Sequence, residues 1–255
     1  MRKKLLITLG CSVTEGQGCW GGTIKSRPSL AQMSNLSSND LKRFRKFGWP
    51  NRVGKKLGFD KVINLARGGG SNSGQIKLLY EREYSDWDVY VIWMMTDSSR
   101  FSFYINKTIK DYVPNFIHNS LSKGYVEEIV DIEADTVLES LFYVDVLRNL
   151  CKVRGYNLLI TYWNKETKNV QGLDTNSENY LYKSPKELFP PIKSDLISPC
   201  MHPSENGHEW IANEMVREIK ERHKHFIQGD SKENIEWEWD GYHKSRIKSK
   251  PNFII

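Results

Sequence analysis

Four short apolar runs, each closed by small or polar residues, constrain the fold of this chain more than any other feature. Leu5, Leu6, Ile7 and Leu9 end at Gly10; Lys61-Val-Ile-Asn-Leu-Ala66 and Asp88-Val-Tyr-Val-Ile-Trp-Met-Met95 follow the same pattern, and Tyr156-Asn-Leu-Leu-Ile-Thr-Tyr-Trp163 supplies the fourth. Runs of this length with no polar alternation belong to strands buried on both faces, which is the habit of parallel sheets. Parallel neighbours cannot be joined by a tight hairpin, so each needs a crossover connection. Helical compositions fill the gaps: Trp49 to Leu57, Ser73 to Tyr80, and Thr136 to Cys151 with Val137, Leu141, Val144 and Cys151 on one face broken by Arg148. Asn206 to Phe226 reads as a last helix, with Ile211, Met215 and Ile219 at i, i+4 and i+8. The expected architecture is α/β, a three-layer α/β/α sandwich around a central, mostly parallel five-stranded sheet.

At 255 residues the chain is long enough for one large core, and a two-domain split would leave each half small. We therefore expect one domain over residues 1–227 and a tail over 228–255. The tail begins beyond Gln228, carries Glu236-Trp-Glu-Trp-Asp240 and ends at Pro251-Asn-Phe-Ile-Ile255. Its aromatics predict a segment that docks on the domain or on a protein partner. Gly21 to Asp40, rich in Ser, Asn and Gly, reads as a long loop that could line a cleft.

The net charge of +6 would suit an anionic partner. The positive residues are dispersed, however, and the one tight cluster, Lys42, Arg43, Arg45 and Lys46, reads as a solvated helix face. No zinc-finger spacing, Walker loop or RNP-like motif supports nucleic-acid binding, which is not expected. Four cysteines, Cys11, Cys19, Cys151 and Cys200, contain no CxxC pair, so neither a disulfide framework nor a metal site is expected. The start imitates a secretory signal, but Leu5 to Leu9 is shorter than such a core requires and a buried first strand accounts for it better. No apolar run reaches the roughly 18 residues of a membrane span. A cytoplasmic location is expected, or a virion-associated one for a chain of phage origin.

In a parallel α/β sheet, ligands bind where the carboxyl ends of the strands meet the following loops. Four stretches fall there: Gly10-Cys-Ser-Val-Thr-Glu-Gly16, Asn64-Leu-Ala-Arg-Gly-Gly-Gly-Ser-Asn72, Met94-Met-Thr-Asp-Ser-Ser-Arg100 and Cys200-Met-His-Pro-Ser-Glu-Asn-Gly-His208. The first could expose a serine hydroxyl. The second could bring main-chain N–H groups close to an anion, because glycine tolerates positive φ. The fourth holds two of the six histidines, His202 and His208, and His202 could act as a general base.

Together these stretches resemble the SGNH (GDSL-like) hydrolase family over roughly Leu5 to Met215, which implies the flavodoxin-like SGNH fold. Gly10, Cys11 and Ser12 correspond to the family's G-D-S block, with Ser12 in the place of the nucleophile. The N-x-A-x-x-G-x-S-N spacing points to Gly69 as the glycine oxyanion donor, and His202, Pro203, Gly207 and His208 match the last block. The resemblance implies catalysis by Ser12 and His202, an oxyanion hole from the N–H groups of Ser12 and Gly69 together with Thr96, and no cofactor or metal.

Three positions depart from the family. Cys11 replaces the acidic residue of the first block. Thr96 stands where the G-x-N-D asparagine would donate to the oxyanion, and loss of such a donor costs about 10² to 10³ in rate. Pro199 stands where an aspartate would orient the histidine; a main-chain carbonyl or Asp195 could substitute. A Cys11 to Cys200 contact is conceivable. The resemblance implies a serine esterase or acetylhydrolase acting on an ester, with O-acetylated carbohydrate as a candidate. The alternative is an SGNH-fold binding or structural protein with weakened catalysis, for which the phage-like style of the chain suggests a virion or host-surface role.

Overall fold

The computed structural model describes residues 2–19, 37–96, 101–105, 108–112, 132–162, 195–198, 202–222 and 230–239, with side chains described except at 38 and over 101–140. The elements are β1 (Lys3–Leu9), α1 (Ser12–Glu15), α2 (Ser38–Arg45), α3 (Trp49–Lys56), β2 (Lys61–Asn64), α4 (Asn72–Tyr80), β3 (Trp87–Met95), β4 (Phe101–Ile105), β5 (Thr108–Tyr112), α5 (Ile132–Arg154), β6 (Asn157–Tyr162), α6 (Glu205–Arg222) and β7 (Glu236–Trp239). All four apolar runs are strands. The main sheet has the order β6-β3-β1-β2-β7, and every pairing in it is parallel. β4 and β5 form a separate antiparallel pair.

Alternate residues of the central strands feed two cores. Leu5, Ile7, Leu9, Val91, Trp93 and Ile160 face one way and pack against Ile76 and Leu79 of α4 and Val144, Leu147 and Cys151 of α5. Leu6, Val62, Tyr90, Ile92 and Leu159 face the other way, against Trp49 and Val53 of α3 and Ile211, Met215 and Ile219 of α6. Both faces of the sheet are thus covered, and this is why the strand runs show no polar alternation. The α5 face follows Val144, Leu147 and Cys151. Leu147 fills the turn where the sequence shows only the interruption at Arg148.

The chain leaves β1 for β2 on one side and returns to β3 on the other, so β1 and β3 flank a topological switch point. The fifth strand comes from the segment beyond 228. β7 lies on the outer edge of β2, with Val62 opposite Trp237 and Asn64 opposite Trp239. Lys232 leads into it, its N–H donating to the Lys55 carbonyl (2.9 Å) and its ammonium to Asp60 (2.6 Å). Residues 240–255 lie outside the described residues, as does the end of the expected last helix; α6 runs to Arg222. Part of the expected 21–40 loop, Ser38 to Asp40, is the first turn of α2, capped by Ser37, whose hydroxyl accepts from the Asp40 N–H (3.1 Å).

Candidate active site

Ser12 is the first residue of α1, directly beyond β1. There its main-chain N–H has no carbonyl within the helix to bond. The α1 turn closes at once on Gly16, whose left-handed conformation ends the helix. Ser12 is half-buried, and its Oγ lies 2.9 Å from His202 Nε2. Cys11 is a buried thiol outside any disulfide, and its Sγ lies 4.0 Å from the same oxygen, a long contact in which the serine hydroxyl is the donor.

His202 is placed by its main chain. Its carbonyl accepts from both the N–H (2.8 Å) and the hydroxyl (3.0 Å) of Ser198, and Pro203 pairs with Ile197 in an isolated antiparallel bridge. Ser204 then caps α6, its hydroxyl accepting from the Gly207 N–H at 3.1 Å. The same hydroxyl donates to the main-chain carbonyl of Asp195. Asp195 is exposed, and this hydrogen bond ties its backbone to the loop. Pro199 and Cys200 lie outside the described residues, and with them the expected Cys11 to Cys200 contact.

The second histidine has a different part. His208 is fully buried and bonded through both ring nitrogens. The Trp49 N–H can only donate, so Nδ1 (3.3 Å) accepts, and Nε2–H donates to the Gln17 carbonyl at 3.0 Å. Burial pushes its pKa down to about 3; the Gln17 bond opposes this, and the positive charges of Arg52 and Arg45 add to it. His208 is a neutral strut joining α6, α3 and the turn after α1.

The glycine loop after β2 is built on a division of its N–H groups. Gly68 N–H donates to Glu15 Oε2, and Gly70 N–H closes a turn on the Arg67 carbonyl (2.9 Å). Gly69 sits between them at φ 73°, a conformation that favours glycine. No acceptor lies on its N–H among the described residues, and it is half-buried. The loop is held from below by buried Asn64, whose Oδ1 accepts from Thr8 Oγ1 and from the Ala66 N–H (both 3.1 Å), while its amide donates to the Thr14 carbonyl (2.9 Å). Trp239 of β7 adds a bond from its indole N–H to the Ala66 carbonyl at 3.1 Å.

Thr96 directly follows β3 and is 3 % exposed. Its backbone is clamped by Asn72: the Thr96 N–H donates to Asn72 Oδ1 (2.9 Å), and the Asn72 amide donates to the Thr96 carbonyl (3.3 Å). Asp97 lies outside the described residues.

The cationic cluster on α2 is not uniformly solvated. Lys42, Arg43 and Lys46 are exposed, whereas Arg45 is buried, with Nε 2.8 Å from Glu15 Oε1 and Nη1 3.3 Å from the Gly16 carbonyl. This corrects the reading of all four as a solvated face. The buried Glu15 carboxylate would be too costly without a counter-charge, and α2 supplies it. Glu15, Arg45, Asn64, Asn72 and Trp239 are the supporting residues that sequence reasoning missed. Glu15 stands inside the serine motif itself, Asn64 and Asn72 begin and end the N-x-A-x-x-G-x-S-N stretch, and Glu236-Trp-Glu-Trp239 alternates with the period of a strand, so four of the five left a signal and Arg45 did not.

Among the described residues no cluster of three or more histidine, cysteine or acidic side chains could hold a metal ion. None of their helices is long and apolar enough to cross a membrane.

No family model matches the chain, and no curated protein matches it in sequence. Similarity appears among solved structures. A carbohydrate esterase whose active site is described as displaying divergent catalytic and non-catalytic binding functions superposes with a TM-score of 0.52, at 12 % identity over 89 % of this chain and 68 % of its own. A lipolytic protein assigned to the G-D-S-L family, from Desulfitobacterium hafniense DCB-2, gives 0.46, at 10 % identity over 85 % of this chain and 99 % of its own. An acetyl-xylooligosaccharide esterase from Geobacillus Stearmophilus gives 0.43, at 15 % identity over 85 % and 94 %. The chain shares the fold of that carbohydrate esterase, and its own topology is α/β with an all-parallel five-stranded central sheet.

Proposed function

We propose that this protein is an SGNH-type serine hydrolase of carboxylic esters. The observation that carries the reading is the 2.9 Å contact between Ser12 Oγ and His202 Nε2 at the switch point of the sheet. In this mechanism Nε2 accepts the Ser12 proton as Oγ attacks the ester carbonyl, giving a tetrahedral intermediate. The oxyanion is held by the N–H groups of Ser12 and Gly69, the latter left available by its neighbours' bonds to Glu15 and Arg67. Thr96 is the third donor of this proposal, its main chain fixed by Asn72. The imidazolium then protonates the leaving alcohol, and water, deprotonated by the same nitrogen, releases the acid and restores Ser12. Asp195, or a main-chain carbonyl in its place, is proposed to orient the imidazole. No cofactor or metal takes part in this scheme.

The proposed substrates are O-acetyl groups on carbohydrate or small acyl esters, supported by the likeness to a carbohydrate esterase and by the family resemblance. A fluorophosphonate probe should label Ser12, and p-nitrophenyl acetate should be hydrolysed by the wild type and not by Ser12→Ala. Equal rates in both, with no label on Ser12, would overturn the proposal.

A second reading, an SGNH-fold binding protein with weakened catalysis, is favoured by Thr96 and Pro199 standing in place of the family's asparagine and aspartate. On that reading the role is surface attachment, including virion attachment, with the part of the segment beyond 228 that is not built into β7 as the partner contact. Tight binding of acetylated polysaccharide without turnover, and without labelling of Ser12, would favour it.

A further inference from the structure

We infer that Glu15 is a positioning residue for the oxyanion hole: by holding the Gly68 N–H on a buried, Arg45-neutralised carboxylate, it turns the next N–H, that of Gly69, toward the oxyanion position. This rests on the hydrolase reading above and deepens it.

Both oxygens of Glu15 are in use. Oε1 accepts from Arg45 Nε at 2.8 Å; Oε2 accepts from the Gly68 N–H and from Gln17 Nε2, the latter at 3.2 Å. Glu15 and Arg45 are 6 % and 4 % exposed, so the charge is shielded from water and its bonds are not replaced by solvent. Gly68 is pressed onto this group: a Cβ there would lie 2.2 Å from Gln17 Nε2 and 2.7 Å from Glu15 Oε2. The bond to Glu15 fixes the peptide that precedes Gly68, and the turn closed by Gly70 N–H on the Arg67 carbonyl of that same peptide (2.9 Å) constrains the next peptide, which carries the Gly69 N–H. Because Gly70 N–H is committed to the Arg67 carbonyl, Gly69 N–H is the member of the three that remains for a ligand.

The side-chain chemistry is specific. A carboxylate is an acceptor at both oxygens, which suits two opposed donors, Arg45 and Gly68. A carboxamide has one acceptor and one donor. In Glu15→Gln the oxygen can face Arg45 or Gly68 but not both, and beside a buried guanidinium it is drawn to Arg45. Removing that competitor frees the oxygen for Gly68 again.

The test is a comparison of wild type, Glu15→Gln and Glu15→Gln/Arg45→Met on p-nitrophenyl acetate, with active sites counted by fluorophosphonate labelling. The expected result is a fall in kcat of about 10- to 100-fold per labelled site for Glu15→Gln at unchanged KM, since an oxyanion donor acts on the transition state. The double variant should regain at least part of it. Wild-type kcat in Glu15→Gln, or a double variant no better than the single one, overturns the inference. Absence of labelling at Ser12 in the wild type overturns the hydrolase reading and this inference with it, whereas normal labelling with an unaffected Glu15→Gln overturns this inference alone.

A second measurement needs no variant. In the wild-type protein the Gly68 amide should exchange with solvent at least about tenfold more slowly than that of Gly69, and the Gly69 amide should slow on phosphonylation of Ser12. Equal protection in the free protein, or no change at Gly69 on phosphonylation, overturns the inference even if Glu15→Gln does not fold.

Discussion

Ser12 and His202, 190 positions apart in the chain, meet Oγ to Nε2 at 2.9 Å. The serine is delivered by the first strand, and the histidine by a loop whose main chain is fastened to Ser198 and Leu196. On the hydrolase reading the two side chains act as one unit. Ser12→Ala and His202→Ala should each lower kcat on an ester by about 10³-fold or more, and the double variant should be little worse than either, because effects within such a unit do not add. Steady-state kinetics on the three variants checks this, and additive losses would contradict it.

Buried His208 makes stability depend on pH. Its pKa is about 3 in the folded protein against an ordinary value of 6.5, so between these values the unfolded chain binds the extra proton. The contribution is full above about pH 6.5 and is lost as pH falls toward 3. Each unit in this window is worth about 1.4 kcal/mol at most. Denaturant unfolding at pH 7.5, 6.0 and 5.0 should show the midpoint falling with pH, and His208→Gln should flatten that dependence while lowering stability at pH 7.5.

Arg45→Ala removes the counter-charge of a buried carboxylate, Glu15, and should cost about 3 to 5 kcal/mol. Arg43→Ala, two positions earlier on the same helix but exposed, should stay within about 0.5 kcal/mol of the wild type. Chemical denaturation of both variants distinguishes a buried ion pair from a solvated helix face.

Asn72→Ala takes both bonds from the backbone of Thr96 and leaves a buried N–H without its acceptor, a loss of about 1 to 3 kcal/mol. If Thr96 serves the oxyanion, kcat should fall as well while KM holds. A stability loss at unchanged kcat would remove Thr96 from the proposed hole.

Trp239→Phe keeps an aromatic ring in the buried end of β7 but leaves the Ala66 carbonyl without the indole N–H. A loss of about 1 to 3 kcal/mol is expected from thermal or denaturant unfolding.

The strands were legible because they are buried on both faces, which forces continuous apolar runs. Ser12 opens α1 and His202 lies three residues before α6, so the sequence marked both as positions beside element ends, and the structure brings their side chains to 2.9 Å; the catalytic roles given to them and the oxyanion role given to Gly69 are proposals. Arg45 was not, since nothing local separates it from Lys42 and Arg43; its burial depends on Glu15, 30 positions earlier and on another element. Asn72 closes the N-x-A-x-x-G-x-S-N stretch, but its partner was not legible, Thr96 lying 24 positions on, just beyond a different strand. β7 carried a period-two pattern of glutamate and tryptophan, but four residues at an edge, paired with a strand 175 positions away, read as a docked tail.

That last strand also sets an order of events. β1, β2 and β3 emerge early in synthesis and can pair with one another, yet the outer edge of β2 and the Ala66 carbonyl wait for residues 236–239. A nascent chain already holding Ser12, Gly69 and His202 still lacks the brace beneath its glycine loop. The final rigidity of the site is therefore timed by the arrival of β7, long after the serine motif has left the ribosome.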